Sequence, residues 1–213
     1  MKEQAGKVFA VHEDNKPVQG CTVSREVYNH NGNNIIYFSL DDNSDISAEI
    51  YASHKLLIVS SGKILVCSCS LSEGEGIITP VNIPVGVQAS MKSVYTEINF
   101  AGGLIMNEAV KIGEVFKLAE LVPYQEGRII NMDVAHNDKM KFAVMAFSEG
   151  TGLSEHAAPG DALIFALDGE GIIGYEGKEY RIKAGENFRF AKNGRHYVKA
   201  EGNFKMALLL TLE

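Results

Sequence analysis

The chain repeats a pattern of glycine positions, so that its second half can be aligned with its first. At an offset of 107 residues the matching positions are Gly6 and Gly113, Val8 and Val115, Phe9 and Phe116, Gly20 and Gly127, Val27 and Val134, and Gly62 and Gly169. The second half then gains four residues, and an offset of 111 matches Gly74 with Gly185. Glycines at turns mark backbone bends that other residues adopt poorly. The repeat therefore predicts two copies of one fold, at residues 1–102 and 108–213, with a breakpoint at Gly102-Gly103.

Each half reads as a series of short strands. Runs such as "NNIIYFSL", "KLLIVSSG" and "KFAVMAF" are rich in β-branched and apolar residues and are bounded by Gly, Asn, Asp or Ser. The segments "HNGNN" and "YEGKEY" predict hairpin turns, and "KILVCSCS" predicts a strand that carries Cys67 and Cys69 on one face. Helical periodicity is confined to the joining segment "AGGLIMNEAVKIG" and to "VFKLAEL". We therefore predict an all-β protein of sandwiches or barrels with a short helical linker.

Composition excludes several classes of partner. The formal net charge of -7 argues against nucleic acid, whose phosphates require a basic surface. No apolar run approaches the ~20 residues that cross a bilayer, so we expect no membrane partner. The N-terminus has no secretory signal, and three cysteines fit a reducing compartment, so we expect a cytoplasmic protein. Several strands are apolar on both faces, which predicts a homo-oligomer, for instance a dimer, or a tight pair of domains.

The second half resembles the cupin superfamily of small jelly-roll barrels. The first cupin motif, G-x5-H-x-H-x3/4-E-x6-G, aligns with His156, Ala158, Ala162 and Gly169. The second motif, G-x5-P-x-G-x2-H-x3-N, aligns with the segment from Gly185 to His196, with Ala191 at the proline and Asn193 at the second glycine. The resemblance implies a bicupin, in which each half is a double-stranded β-helix of the cupin-like, jelly-roll type.

In the first half, the same offsets place other residues at the motif positions. Glu49, Tyr51 and Lys55 stand at the ligand positions of the first motif, and Val85 stands at the ligand histidine of the second. The resemblance therefore implies an N-terminal barrel without metal ligands, whose role is structural or pocket-forming.

The resemblance also implies that His156 and His196 meet inside the second barrel. Cupin metal sites use three histidines and a carboxylate, and here two imidazoles remain. We expect any divalent metal at this pair (Fe, Ni, Mn or Zn) to be weakly held. Water takes the place of each missing protein ligand, and the affinity of the site for the metal falls. Apolar residues of the same half are predicted to line a ligand pocket around the pair; they are Phe142, Met145, Phe165, Phe188, Phe190 and Met206.

Three functions stay open from the sequence. The first is a small-molecule-binding bicupin with its site in the C-terminal barrel. The second is a metal-dependent cupin enzyme of the dioxygenase, isomerase or sugar-modifying type. The third is a non-catalytic structural or sensing protein. No G-x-S-x-G elbow or phosphate-binding glycine loop supports another chemistry, and the sequence indicates no particular catalytic residue.

Overall fold

The computed structural model describes residues 1–212 and consists almost entirely of β-strands, as predicted. The strands are β1 Val8–Phe9, β2 Thr22–His30, β3 Asn33–Leu40, β4 Asp45–Ile50, β5 His54–Ser61, β6 Lys63–Val66, β7 Cys69–Ser72, β8 Glu75–Ile78, β9 Pro84–Ala89, β10 Ser93–Phe100, β11 Ile105–Met106, β12 Val115–Lys117, β13 Ile129–His136, β14 Met140–Phe147, β15 Gly152–Ala157, β16 Asp161–Tyr175, β17 Lys178–Lys183, β18 Asn187–Phe190, β19 Arg195–Lys199 and β20 Phe204–Thr211. One helical turn, α1, spans Val11–Asp14, and one 3-10 turn spans Leu118–Glu120. No helix in this described range is long and apolar enough to cross a membrane.

The described chain divides into two compact units. Unit 1 comprises Met1–Lys2 and Val11–Lys117, and unit 2 comprises Glu3–Ala10 and Leu118–Glu213. These bounds differ from the expected 1–102 and 108–213 at the strand that opens each half. The strand β1 pairs with β18 of unit 2, and β12 pairs with β8 of unit 1. A cut at the expected bounds would therefore remove an edge strand from each unit.

Unit 1 is built from two antiparallel sheets. Their strand orders are β12-β8-β5-β10-β3-β2 and β4-β9-β6-β7. Because side chains alternate across a strand, each sheet turns one row of apolar residues inward. The inward rows form a single core from both sheets, which includes Leu57, Ile77 and Val87.

Unit 2 repeats this arrangement around its own core. The main sheet runs β1-β18-β16-β20-β14-β13, while β19 pairs with both β15 and β16, and β17 pairs with β16. The 15-residue strand β16 takes part in both groups of strands, whereas unit 1 uses the two separate strands β5 and β6. Phe147, Phe188 and Phe204 are fully buried in this core.

The strand bounds reproduce the offsets of the sequence repeat. β3, β4 and β5 begin 107 residues before β14, β15 and β16, and β9 and β10 begin 111 residues before β19 and β20. The β-bulges follow the same rule, because the register shift between Ile46 and Glu49 recurs between Leu153 and His156. The glycine pattern therefore predicted the strand register correctly.

Two local predictions were wrong. The joining segment forms no helix in the described chain; it contains turns and the short strand β11, because Gly102 and Gly103 both adopt positive φ. The run "KILVCSCS" is a hairpin instead of one strand. Cys67 and Ser68 adopt positive φ between β6 and β7, which is the backbone of a type I′ turn. Cys67 and Cys69 therefore do not share one strand.

Gly62 and Gly169 show why glycine stands at matching positions of the two halves. They have φ of 81° and 70°, and an added Cβ would collide with the carbonyl oxygens of Lys92 and Asn203, respectively. We expect Gly169→Ala to lower the free energy of unfolding by about 1–3 kcal/mol, because the alanine would need both a strained φ and a shifted backbone. Urea unfolding measures the change. Gly202→Ala is the control, since nothing lies within 4 Å of its added Cβ; equal losses in both variants would contradict this account.

Candidate functional site

His156 and His196 are neighbours in the second unit. They are Cα partners on the paired strands β15 and β19, and their ring centroids lie 4.3 Å apart at an interplanar angle of 56°. On the other side of β19, Tyr175 of β16 is the Cα partner of His196. Three adjacent strands therefore place two imidazoles and a phenol in one row.

The hydrogen bonds of both rings determine their tautomers. Nδ1 of His156 lies 2.8 Å from the carbonyl oxygen of Ser154, and Nδ1 of His196 lies 2.8 Å from that of Gly194. A carbonyl oxygen can only accept, so each Nδ1 must carry the proton and donate it. In the neutral rings, Nε2 is then the atom with a free lone pair. Each imidazole is thus oriented by its own backbone and offers Nε2 to an incoming group.

The two imidazoles differ in burial. His156 is exposed, whereas His196 is only 5% exposed and stacks on Phe190 with ring centroids 3.9 Å apart. Burial lowers the pKa of His196 below its ordinary value, and the neighbouring His156 lowers it further, although the bond to the Gly194 carbonyl acts in the opposite direction. Neutral His196 is therefore the form that the fold favours.

This burial predicts the titration of His196. We expect its NMR titration midpoint to lie below about 6.5 and to rise in His156→Ala, because that variant removes a like charge. Since the folded pKa is lowered, the stabilisation is complete above the unfolded pKa and is lost as pH falls toward the folded value. His136→Ala, which changes a histidine on another strand, serves as the control. A midpoint above 6.5 would contradict the burial argument.

The predicted apolar lining is only partly brought together. Phe188, Phe190 and Met206 lie in the core of unit 2, and Met145 packs against it. The prediction that Phe142 and Phe165 line this pocket was wrong. Strand alternation turns their side chains to the face of the main sheet opposite to that of Phe147, Ile164 and the rest of the core. The two rings contact each other edge-on, with centroids 6.3 Å apart.

A metal centre of the cupin type does not fit the residues at the other motif positions. Ala158 and Ala162 supply no donor there, and no group of three or more His, Cys, Asp or Glu among residues 1–212 has the geometry to hold a metal ion. The nearby carboxylates are engaged elsewhere. Glu155 accepts from Arg195 at 2.5 Å, and Asp161 accepts two hydrogen bonds from Arg189 at 2.8 and 2.9 Å.

Sequence reasoning missed two features of the units. Tyr175 was missed because the pairing of β16 with β19 joins residues 21 positions apart and no local pattern announces it. In unit 1, the Lys55 ammonium forms a buried ion pair with Glu97, with 2.8 Å between Nζ and Oε1. Lys55 was placed at a motif position, but its partner is 42 residues away on β10.

Comparison with known proteins identifies the fold and the family. The family model described as "Cupin domain" matches residues 143–212. A solved structure, the Cupin 2 conserved barrel domain protein from Leptotrichia buccalis, is 30% identical and covers 99% of both chains with a TM-score of 0.87. No curated protein matches the sequence.

Two more distant structures share the fold alone. A mutant of salicylate 1,2-dioxygenase from Pseudoaminobacter salicylatoxidans in complex with gentisate is 11% identical and covers 96% of this chain and 81% of its own, with a TM-score of 0.67. A mutant of oxalate decarboxylase from Bacillus subtilis is 11% identical and covers 100% and 78%, with a TM-score of 0.56. The cupin motif positions, the jelly-roll strand order and the 30% identical relative lead to one conclusion: this chain belongs to the cupin superfamily.

Proposed function

We propose that this protein is a bicupin that binds a small molecule at the mouth of its C-terminal barrel. The observation that carries the proposal is the pair of imidazoles, His156 and His196, held on partner strands with both Nδ1 atoms anchored to backbone carbonyls. The equal strand offsets of the two units support the reading of each half as one cupin barrel. Association into a homo-oligomer stays a prediction.

The chemistry of the pair indicates the kind of ligand. In the neutral rings both Nε2 atoms accept hydrogen bonds, so they suit a molecule that presents hydroxyl or amino donors. His196 lies against Phe190, and Phe188 and Tyr175 pack around that ring with centroids 5.4 and 5.7 Å away. Two imidazoles next to a cluster of aromatic rings, which we call the aromatic floor, favour a ligand with an apolar body and a few hydrogen-bond donors.

A metal-dependent cupin enzyme is the second candidate, and one observation favours it. Histidines that bind metals usually donate their other ring N–H to a carbonyl or carboxylate, as His156 and His196 do. The two imidazoles are then the residues that would hold Fe, Ni, Mn or Zn. Because Ala158 and Ala162 stand at the other ligand positions, we expect such a metal to bind weakly.

The two candidates are separated by fragment binding and metal titration on the full chain. We expect members of a fragment library to shift the NMR signals of both His156 and His196, and we expect His196→Ala to abolish the shift of the His156 signal. His136→Ala is the matched control and should keep both shifts.

Metal analysis completes the test. Zn²⁺ added alone should bind the wild type only weakly. Stoichiometric, tightly held Zn²⁺ that disappears in His196→Ala would instead establish the metal-dependent candidate. The absence of any fragment shift at the pair would refute the binding site and leave the structural or sensing role.

A further inference from the structure

The core of unit 1 contains a cavity with polar walls. Its volume is about 40 Å³, and its polar lining consists of Tyr51, Lys55, Thr79, Tyr95 and Glu97, with Phe38 and Val85 among the apolar walls. A cavity needs roughly 10–15 Å³ of such volume to hold one water. The space therefore suits a few waters or the polar end of a small molecule.

Two of the polar residues that line the cavity stand at positions where the second unit has alanine. Tyr51 and Lys55 are the equivalents of Ala158 and Ala162, while Glu49 and Val85 are Cα partners on β4 and β9, as His156 and His196 are on β15 and β19. Polar side chains thus line the interior of unit 1 where unit 2 has alanines. The two units carry different chemistry at the same place in the fold.

A buried ion pair forms one wall. The side chains of Lys55 and Glu97 are 11% and 9% exposed, and Nζ lies 2.8 Å from Oε1. The ammonium also lies 3.4 Å from the centroid of the Tyr51 ring, at cation–π distance. Desolvating such a pair costs about as much as its attraction returns, so stability alone gives little reason for charges here.

A hydroxyl without a hydrogen-bond partner lies on the same face of β10 as Glu97. Tyr95 is fully buried, its ring stacks on Phe38 with centroids 5.0 Å apart, and its hydroxyl has no hydrogen-bond partner in the described structure. Burial first, and then the charge of Glu97, raises the pKa of Tyr95 well above its ordinary value, so the phenol stays protonated. A buried hydroxyl without a partner is costly unless a bound group satisfies it.

We propose that unit 1 binds a small uncharged polyol whose hydroxyl enters this cavity, at a site separate from the imidazole pair of unit 2. The ligand is uncharged because Lys55 and Glu97 neutralise each other, and a further buried charge would have no counter-charge. A hydroxyl has two lone pairs and one proton, so it can accept from both Lys55 and Tyr95 and donate to Glu97. The aromatic rings of Tyr51 and Tyr95 contact the carbon skeleton.

The proposal is tested on the full chain with glycerol and erythritol, compared with acetate and methylammonium. We expect the two polyols to bind saturably in ligand-observed NMR and to appear in the cavity after crystal soaking, while both ions fail to bind. Tyr95→Phe keeps the ring and removes the hydroxyl, so it should weaken polyol binding about tenfold, the cost of one hydrogen bond.

Thr96→Val is the matched control for that variant. Its buried hydroxyl also lacks a partner, but Thr96 is the next residue of β10 and faces away from the cavity, so polyol binding should not change. Thermal unfolding shows that both variants fold. Tighter binding of either ion, only water in the cavity after soaking, or equal polyol affinity of Tyr95→Phe and wild type would overturn the proposal.

Discussion

Lys55→Met is expected to lower the free energy of unfolding by roughly 3–5 kcal/mol. The methionine keeps most of the volume of the lysine but leaves the Glu97 carboxylate buried, with its side chain 9% exposed, and without the ammonium that now lies 2.8 Å away. An uncompensated buried charge must either remain at high cost or take up a proton. Urea unfolding at neutral pH measures the loss.

Removing both charges should undo most of this loss. In the double variant Lys55→Met with Glu97→Leu, no charge is left buried, and apolar replacements of similar volume are often neutral or stabilising. Arg181→Ala is the surface control, because Arg181 and Glu170 are paired at 2.8 Å with side chains 63% and 53% exposed. Its expected cost is about 1 kcal/mol or less. A loss below 1 kcal/mol in Lys55→Met would show that water reaches Glu97 freely.

Phe188→Ala is the second variant with a large expected effect, a loss of about 3–5 kcal/mol. Phe188 is fully buried, and its ring centroid lies 5.1 Å from that of Tyr180, 5.4 Å from that of Phe190 and 5.8 Å from that of Tyr175. The alanine would leave a cavity in the core of unit 2. Because Phe190 supports the ring of His196, the NMR signals of that imidazole should move as well.

Urea unfolding and a histidine NMR spectrum test this expectation together. Ile105→Ala is the control for the stability measurement, since that isoleucine is 63% exposed and its truncation should change stability by less than about 0.5 kcal/mol. A similar small change in Phe188→Ala would mean that the core of unit 2 collapses around the missing ring. An unmoved His196 signal would mean that the aromatic floor does not position the imidazole.

The sequence predicted the features that depend on near neighbours. Turn positions such as Gly62 and Gly169 can be recognised from the sequence, because their positive φ and the close approach of another backbone segment require glycine. The matched glycines and the alternating strands therefore yielded the all-β class and the register of the repeat. The meeting of His156 and His196 was predicted only through the cupin resemblance, because these residues are 40 positions apart.

Other predictions failed where the local sequence was compatible with two structures, such as a strand or a hairpin, or either face of a strand. The run around Cys67 has the composition of a strand, yet positive φ at Cys67 and Ser68 bends it into a hairpin. The composition of the second half suggested six apolar lining residues, but the face of a strand depends on its register with its neighbours. Phe142 and Phe165 consequently lie on the side of the sheet away from the imidazoles.

By itself, the sequence determined the class of the fold, its repeat and its turns, because propensity, alternation and glycine conformation act over a few residues. Only the tertiary structure decided that β1 and β12 complete the sheets of unit 2 and unit 1, respectively. It also decided that Lys55 finds Glu97, and that Tyr95 keeps an unpartnered hydroxyl beside them. These contacts join residues of different strands, so they depend on how whole strands pair. That pairing minimises the free energy of the complete core, and no local run of residues predicts it.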